Sequence, residues 1–359
     1  DGLVRIWDLQ DRNSAAPVRQ LPEQIDEEAA QTVYGVTFHP ENSKQLATAH
    51  HDGSFKVWDI ESGELISETI HSENPLLDVA YTDDGSQLIS ASPLQHGACC
   101  AGEDQRYNHA YVYDVAISED GRWLATAGKE TTEAVKDNGA VKIWDLESDF
   151  SRIPLPVQSL KENTDGVWAV AFSPDGRWLA AGGEDKKVIV WDITGLEENP
   201  RAESPVVRTH FDHTNTIVEL RFSANSRCLI SAGLDRTAKV WDMETGQLLV
   251  NLAGHTGQVQ GIAMINDEAT GEQELSPEMI CGEHVATVSV DGTVRLWTLG
   301  ATSEEMTLVE HTEPVESVDF DSVGEQVVTA GDDGRTISWD AEDGPMLFEL
   351  VDPTLEWER

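Results

Sequence analysis

Apolar and polar residues alternate along this chain in short bursts, separated by turn-forming clusters. The run Val170-Ala171-Phe172 leads into Ser173-Pro174-Asp175-Gly176, whose Pro and Gly favour a reversal. Trp178-Leu179-Ala180-Ala181 follows, then a second turn at Glu184-Asp185-Lys186, then the alternating Val188-Ile189-Val190-Trp191. This predicts an antiparallel meander of three short strands, with a weaker fourth before the next unit. Inner strand pairs of the same kind recur near Val33–Ala49, Leu77–Ser92, Tyr113–Gly128, Val167–Gly183, Ile217–Gly233, Val259–Ser289 and Val315–Gly331, which makes seven units.

A Trp, usually followed by Asp, closes one unit after another: Trp7-Asp8, Trp58-Asp59, Trp144-Asp145, Trp191-Asp192, Trp241-Asp242, Trp297-Thr298 and Trp339-Asp340; the unit after Trp58 is the weakest, with no Trp near Cys99-Cys100 and no third strand to place. Outside the wide gap from Trp58 to Trp144, which has room for two units, the spacing is about 42 to 56 residues, the period of a propeller blade with loop insertions. Asp1 precedes Trp7 by the same offset as Asp185 precedes Trp191, so residues 1–30 read as a half-repeat of third and fourth strands, and residues 31–350 as seven repeats. The expected fold is all-β, a single domain over 1–359: a seven-bladed β-propeller of four-stranded antiparallel blades, with eight blades as the alternative. Two insertions interrupt the rhythm, Lys129 to Asp137 and Asn266 to Glu283.

These features resemble the WD40 repeat family over essentially the whole chain. The resemblance implies a side-chain network in each blade: a His from the entering loop, an Asp in the turn before the third strand, a Ser or Thr four residues before that Asp, and the Trp six residues after it. The sequence supplies His213, Ser231, Asp235, Trp241; His255, Thr287, Asp291, Trp297; and His311, Thr329, Asp333, Trp339. Thr48, Asp52 and Trp58 lack an obvious His. Asp185 and Trp191 have Ala181 where a hydroxyl is expected, and Trp144 has Asn138 at the Asp offset. His, Asp and Ser together suit nucleophilic catalysis, but a set repeated blade after blade fits bracing, because an enzyme needs one site.

The resemblance also implies which first-strand residues face the mouth of the central channel: Tyr34, Leu77, Tyr113, Trp168, Val218, Gln260 and Glu316. His50, His51, Glu184 and Asp332 lie on adjoining turns. Aromatic faces beside carboxylates suit a basic peptide. The expected function is therefore a non-catalytic protein-interaction scaffold or sensor in signalling, with Tyr34, Tyr113, Trp168, Glu316, His50, His51, Glu184 and Asp332 as partner-binding candidates. The half-repeat at the start is consistent with an effector domain upstream in a longer chain. The alternative is a propeller hydrolase or lyase. For it, first strands offer only Asp78, Asp114, Glu219, Glu316 and Asp319, with no recurring His among them.

Charge sharpens the partner class. Against 24 basic residues stand 66 acidic ones, a net charge of −42. Such a surface repels nucleic-acid phosphates and anionic membranes, and it favours either basic partners or a saline habitat. No apolar run reaches the roughly 18 residues of a spanning helix, and residues 1–5 do not read as a signal peptide. Cys99 and Cys100 are adjacent while Cys228 and Cys281 stand alone, so no disulfide framework is expected and a cytoplasmic, reducing location fits. Cys281-x-x-His284, and His96 near Cys99-Cys100, lack the second ligand pair of a zinc site. No glycine motif for phosphate is present, so neither metal nor cofactor is expected.

Overall fold

A computed structural model describes residues 4–6, 19–21, 32–40, 42, 44–70, 75–76, 78–81, 85, 88–91, 99–100, 110–130, 138–146, 156–160, 162–163, 165–196, 198–199, 206–210, 213–264, 281, 284–299, 304–321 and 324–351. Among the described residues every element is a strand. β1 (Val4–Ile6) pairs with β2 (Arg19–Leu21). Four-stranded sheets follow in sequence order, six among the described residues. The first holds β3 (Val33–Phe38), β4 (Gln45–His50), β5 (Ser54–Asp59) and β6 (Leu65–Ile70). Next is a three-stranded sheet, β7 (Asp78–Tyr81), β8 (Leu88–Ala91) and β9 (Cys99–Cys100). Then come β10 (Ala110–Ile117), β11 (Trp123–Glu130), β12 (Asn138–Asp145) and β13 (Gln158–Leu160), and β14 (Val167–Phe172), β15 (Trp178–Gly183), β16 (Val188–Asp192) and β17 (Val206–His210). The last three are β18 (Ile217–Phe222), β19 (Cys228–Gly233), β20 (Thr237–Asp242), β21 (Leu248–Ala253); β22 (Val259–Met264), β23 (His284–Ser289), β24 (Val294–Thr298), β25 (Glu304–Leu308); and β26 (Val315–Phe320), β27 (Gln326–Gly331), β28 (Arg335–Asp340), β29 (Met346–Val351). The fold is thus an all-β propeller type with four-stranded antiparallel blades.

Local chemistry sets the hairpins. In the turn before β15, Gly176 holds φ +70°, a conformation that costs glycine little. The Ser173 hydroxyl oxygen accepts from the Trp178 amide at 2.8 Å, closing that turn, and Ser223 closes the next one on Cys228 at 2.9 Å. There Ser226 takes the left-handed position (φ 57°), and its hydroxyl accepts from the Asp175 amide at 2.9 Å.

The chain forms two compact units. One comprises 1–8, 17–172 and 192–205; the other comprises 9–16, 173–191 and 206–359. Cores within each unit are built the same way, strand face on strand face. In the second, Ile230, Ala232 and Val240 pack with Ile262, Met264 and Trp297, and Ala263, Ala286 and Val288 pack with Val318, Val327 and Trp339. In the first, Ile89 packs with Val115, Leu124 and Trp144, and Leu21 packs with Leu46 and Trp58.

Several sequence expectations change. The weak unit after Trp58 has a third strand after all, at Cys99–Cys100, paired with β8. Lys129 is no loop residue: β11 and β12 are two residues longer than most strands here, pairing Lys129 with Gly139 and Glu130 with Asn138. Of the two expected insertions, residues 131–137, 266–280 and 282–283 lie outside the described residues, as does Leu77. Cys228 and Cys281 do not stand alone but form a buried disulfide across a separation of 53 residues, inside the β19–β23 core. Folding brought together two cysteines that had no local spacing signal.

Two carboxylates of the first strands fasten neighbouring first strands together. Asp114 accepts from the Val170 amide at 2.8 Å, and Glu219 accepts from the Ile262 amide at 2.7 Å and from Arg221 at 2.9 Å. Burial raises the Glu219 carboxyl above its ordinary range, although Arg221 and the Ile262 amide oppose that shift. Replacing Glu219 by Leu leaves a backbone donor and a guanidinium uncompensated. A loss of about 1–3 kcal/mol is expected from the urea midpoint, with faster hydrogen exchange at the Ile262 amide.

Candidate interaction surface

Three blades hold a complete relay of hydrogen bonds. The indole N–H of Trp241 donates to Ser231 Oγ at 3.0 Å; Ser231 Oγ lies 2.7 Å from His213 Nε2; and His213 Nδ1 lies 2.9 Å from Asp235. Trp297, Thr287, His255 and Asp291 repeat it at 2.9, 2.8 and 3.2 Å. Trp339, Thr329, His311 and Asp333 do so at 2.9, 2.9 and 3.0 Å. An ionised carboxylate only accepts, so each His donates from Nδ1. Its Nε2 must then accept from the hydroxyl, whose oxygen takes the indole N–H. Each Asp also accepts the amide just after its His: Thr214 at 2.8 Å, Thr256 at 2.7 Å and Thr312 at 3.0 Å. Burial works to raise these carboxyls, yet the donors around them hold Asp235, Asp291 and Asp333 below the ordinary range. Both imidazole nitrogens and the hydroxyl are engaged and buried, so no nucleophile is presented.

The blade without an obvious His has one. His50 Nε2 lies 2.7 Å from Thr48 Oγ1, which accepts the Trp58 indole N–H at 3.0 Å. Two residues apart on a strand, Thr48 and His50 share a face, so the imidazole comes from β4 itself rather than from the entering loop. The sequence signal was that spacing of two. His50 is therefore not a surface residue on a rim turn: it is buried, its Nδ1 has no hydrogen-bond partner, and burial, aided by Lys56, lowers it to about 4.

Five of the seven channel-mouth candidates have a shared structural cause. In five first strands the pairing register slips by one residue, between Val33 and Gly35, Val112 and Asp114, Ile217 and Glu219, Val259 and Gly261, and Val315 and Ser317. The skipped residues are Tyr34, Tyr113, Val218, Gln260 and Glu316. A bulge leaves its extra residue out of the ladder and re-aims its side chain. Within the first unit, Tyr113 and Trp168 stack with ring centroids 4.9 Å apart at 12°, and Trp168 stays 40% exposed. Tyr34 is exposed too, its hydroxyl 3.1 Å from His51 Nδ1. Within the second unit, Glu316 is exposed and takes a hydrogen bond from Gln260 at 3.3 Å. Burial and the nearby Asp332 raise its carboxyl above the ordinary range. Glu184 and Asp332 lie on turns, half-buried and exposed respectively.

Of the acids available to an enzyme reading, Asp114 and Glu219 are the fasteners described above, and Asp319 accepts from the Phe320 amide at 3.0 Å. Among the described residues no group of three or more His, Cys, Asp or Glu is placed to hold a metal ion, and no helix is long and apolar enough to cross a membrane.

Comparison with known proteins adds the lineage. The WD40 description, "WD domain, G-beta repeat", matches residues 20–59, 103–145, 155–192, 204–242, 246–298 and 302–340. Protein hir-1 of Neurospora crassa is 28% identical over 257 residues, which are 70% of this chain and 19% of that protein. The nuclear distribution protein PAC1 of Arthroderma otae is 24% identical over 332 residues, 89% of this chain and 61% of that protein. The chain thus spans about a fifth of the first and under two thirds of the second. Among solved structures, Chaetomium thermophilum Sqt1, bound to the N-terminus of ribosomal protein L10, superposes with a TM-score of 0.72 at 20% identity, covering 90% of this chain and 88% of that one.

The lowered His50 gives a pH prediction. In the unfolded chain a His titrates near 6.5; here the neutral form is favoured down to about 4. Stability from this site is present above about pH 6.5 and is lost as pH falls toward 4. The thermal midpoint of the wild type should fall over that window, and His50→Gln should flatten the fall. An unchanged slope in the variant contradicts the assignment.

Proposed function

The chain belongs to the WD40 repeat family, and on that premise we propose that it is a non-catalytic interaction module whose bulged first-strand residues take a basic peptide or protein loop. The observation that carries this reading is the Tyr113–Trp168 stack: a half-buried ring set by its bulge against an indole that stays 40% exposed, at the cost of leaving apolar area in water. A guanidinium or ammonium seated on such a face gains from the ring quadrupole. Glu316, with its carboxyl raised by burial and by Asp332, is a site that an incoming cation would relieve. In the first unit Tyr34 and His51 belong to this proposed surface, with His50 supporting it from within; in the second unit Glu184 and Asp332 are, with Glu316, proposed partner contacts.

The net charge of −42 supports long-range attraction of a basic partner. Sqt1, similar in fold, is described with the N-terminus of a ribosomal protein bound, which supports a peptide as the kind of partner. The finer architecture belongs to the same proposal: seven blades, the three-stranded sheet being one of them, in a single domain with the half-repeat at 1–30, and an effector domain upstream. A cytoplasmic location is also proposed. The Cys228–Cys281 bond would then persist because it is buried, and alkylation mass spectrometry on protein from intact cells should find both sulfurs blocked.

The test is capture from a lysate of the source organism at low and high salt, followed by titration of the captured partner. The triple variant Tyr34→Ala, Tyr113→Ala, Trp168→Ala should lose about 30-fold or more in affinity, as expected when aromatic anchors are truncated. Affinity of the wild type should fall with added salt, and also as pH drops through the range where Glu316 takes up a proton, since the bound cation favours the carboxylate. A partner bound equally well by the variant contradicts the reading.

A further inference from the structure

The inner strands of this acidic protein carry one cation. Across the first strands β3, β7, β10, β14, β18, β22 and β26, the single basic side chain is Arg221 of β18. It shares one face of that strand with Glu219, while Leu220 between them is buried. Its Nε donates to Glu219 Oε1 at 2.9 Å, and Glu219 Oε2 accepts from the Ile262 amide at 2.7 Å. The guanidinium is therefore oriented by an acid that the backbone itself orients. Its two terminal nitrogens make no hydrogen bond among the described residues, and the side chain stays 44% exposed.

Fastening one first strand to the next does not call for this cation. Asp114 accepts from the Val170 amide at 2.8 Å in the first unit, and there Ala116 occupies the position that matches Arg221. The free donors of Arg221 are left for something else.

Gly261 connects Arg221 to the proposed cation site, within the second unit. A Cβ at Gly261 would stand 3.3 Å from the Glu316 carbonyl oxygen and 3.6 Å from Glu219 Oε2. The residue before it, Gln260, donates to the Glu316 carboxylate at 3.3 Å. Glu219 and Arg221 thus meet Gln260 and Glu316 around one bare strand position. Asp319 of β26 acts through its charge on both Glu219 and Arg221. One positive fork accordingly lies among the carboxylates of Glu219, Asp319 and Glu316. A free anion is repelled from such a place, whereas an anion that arrives with its own cation is not.

We propose that Arg221 is a specificity residue, taking a carboxylate that stands beside the cation which the partner peptide seats at Glu316. This rests on the reading of a basic partner given above and narrows it. The planar fork of a guanidinium matches the two oxygens of a carboxylate. The partner's cation offsets Glu316 and Asp332, and its carboxylate occupies the donors that Glu219 leaves open. The preferred motif is a basic residue with an acidic one close to it in sequence. A uniformly basic segment places like charge against Arg221 and is disfavoured.

The test uses acetylated, amidated peptides with one lysine and one glutamate, separated by no, one or two alanines. Their glutamine counterparts and inorganic phosphate serve as comparisons. Binding is followed by NMR at the Arg221 Nε–H and at the Glu316 carboxyl carbon. The best glutamate peptide should bind wild type about fivefold or more tighter than its glutamine counterpart, the scale of an exposed ion pair of good geometry. Arg221→Gln should abolish that preference while leaving the glutamine peptide bound, and Arg221→Lys should keep part of it. Merely structural damage at Arg221 would weaken both peptides alike and leave their ratio unchanged, which overturns the proposal. So does a response of Arg221 to phosphate as strong as to the peptide, because the anion would then need no attached cation. Equal binding of the two peptides by wild type, with Glu316 still shifted, overturns the role of Arg221 and leaves the basic-partner reading standing. No shift at Glu316 with any peptide contradicts that reading, and the role of Arg221 with it.

Discussion

The hydrogen-bond relay from tryptophan through a hydroxyl and an imidazole to a carboxylate is the constraint on which three of the blades depend. It joins four points that the chain keeps apart: the entering loop, the second strand, the turn before the third strand, and the third strand itself. A buried polar group without a partner costs about 1–3 kcal/mol, so each member holds the other three in place. His255 shows the balance in its titration. Burial lowers it below the ordinary imidazole range despite the pull of Asp291, which keeps the ring neutral and able to accept from Thr287. The residue types are those of a hydrolase, but their geometry is closed on itself. Chemistry that would serve a reaction in one exposed copy serves rigidity in several buried ones.

Rigidity at the blade is what makes the bulges useful. A first strand held on one side by its ladder and on the other by a neighbour can leave one residue out of register without losing its place. Asp114 and Glu219 sit next to the bulged residues and fasten the following first strand through its amide. The bulged side chains stand outside the ladder, and their identity varies: Tyr34 and Tyr113 in one unit, Val218, Gln260 and Glu316 in the other.

How much of this was legible in the sequence depended on locality. The Ser/Thr-to-Asp-to-Trp offsets lie within one hairpin, and the three complete relays closed on the residues expected from them. The strand pairs were equally readable, because a Ser-Pro-Asp-Gly turn between alternating runs acts on its own neighbourhood. What required the folded chain was long-range. His50 was read as a surface residue because its partner Thr48 is recognised only once both are placed on one strand face. The Cys228–Cys281 pairing spans a segment with no spacing rule. The fastening roles of Asp114 and Glu219 depend on amides 56 and 43 residues away.

The most direct test of the relay is the tautomeric state of its imidazoles, read by nitrogen-15 and proton correlation NMR on labelled protein near neutral pH. The account predicts that His213, His255 and His311 are all neutral with the proton on Nδ1, each bonded to its Asp, and that replacing Ser231 by Ala perturbs His213 alone. Imidazoles protonated on Nε2, or a mixture of tautomers like that of a solvent-exposed histidine, would contradict it.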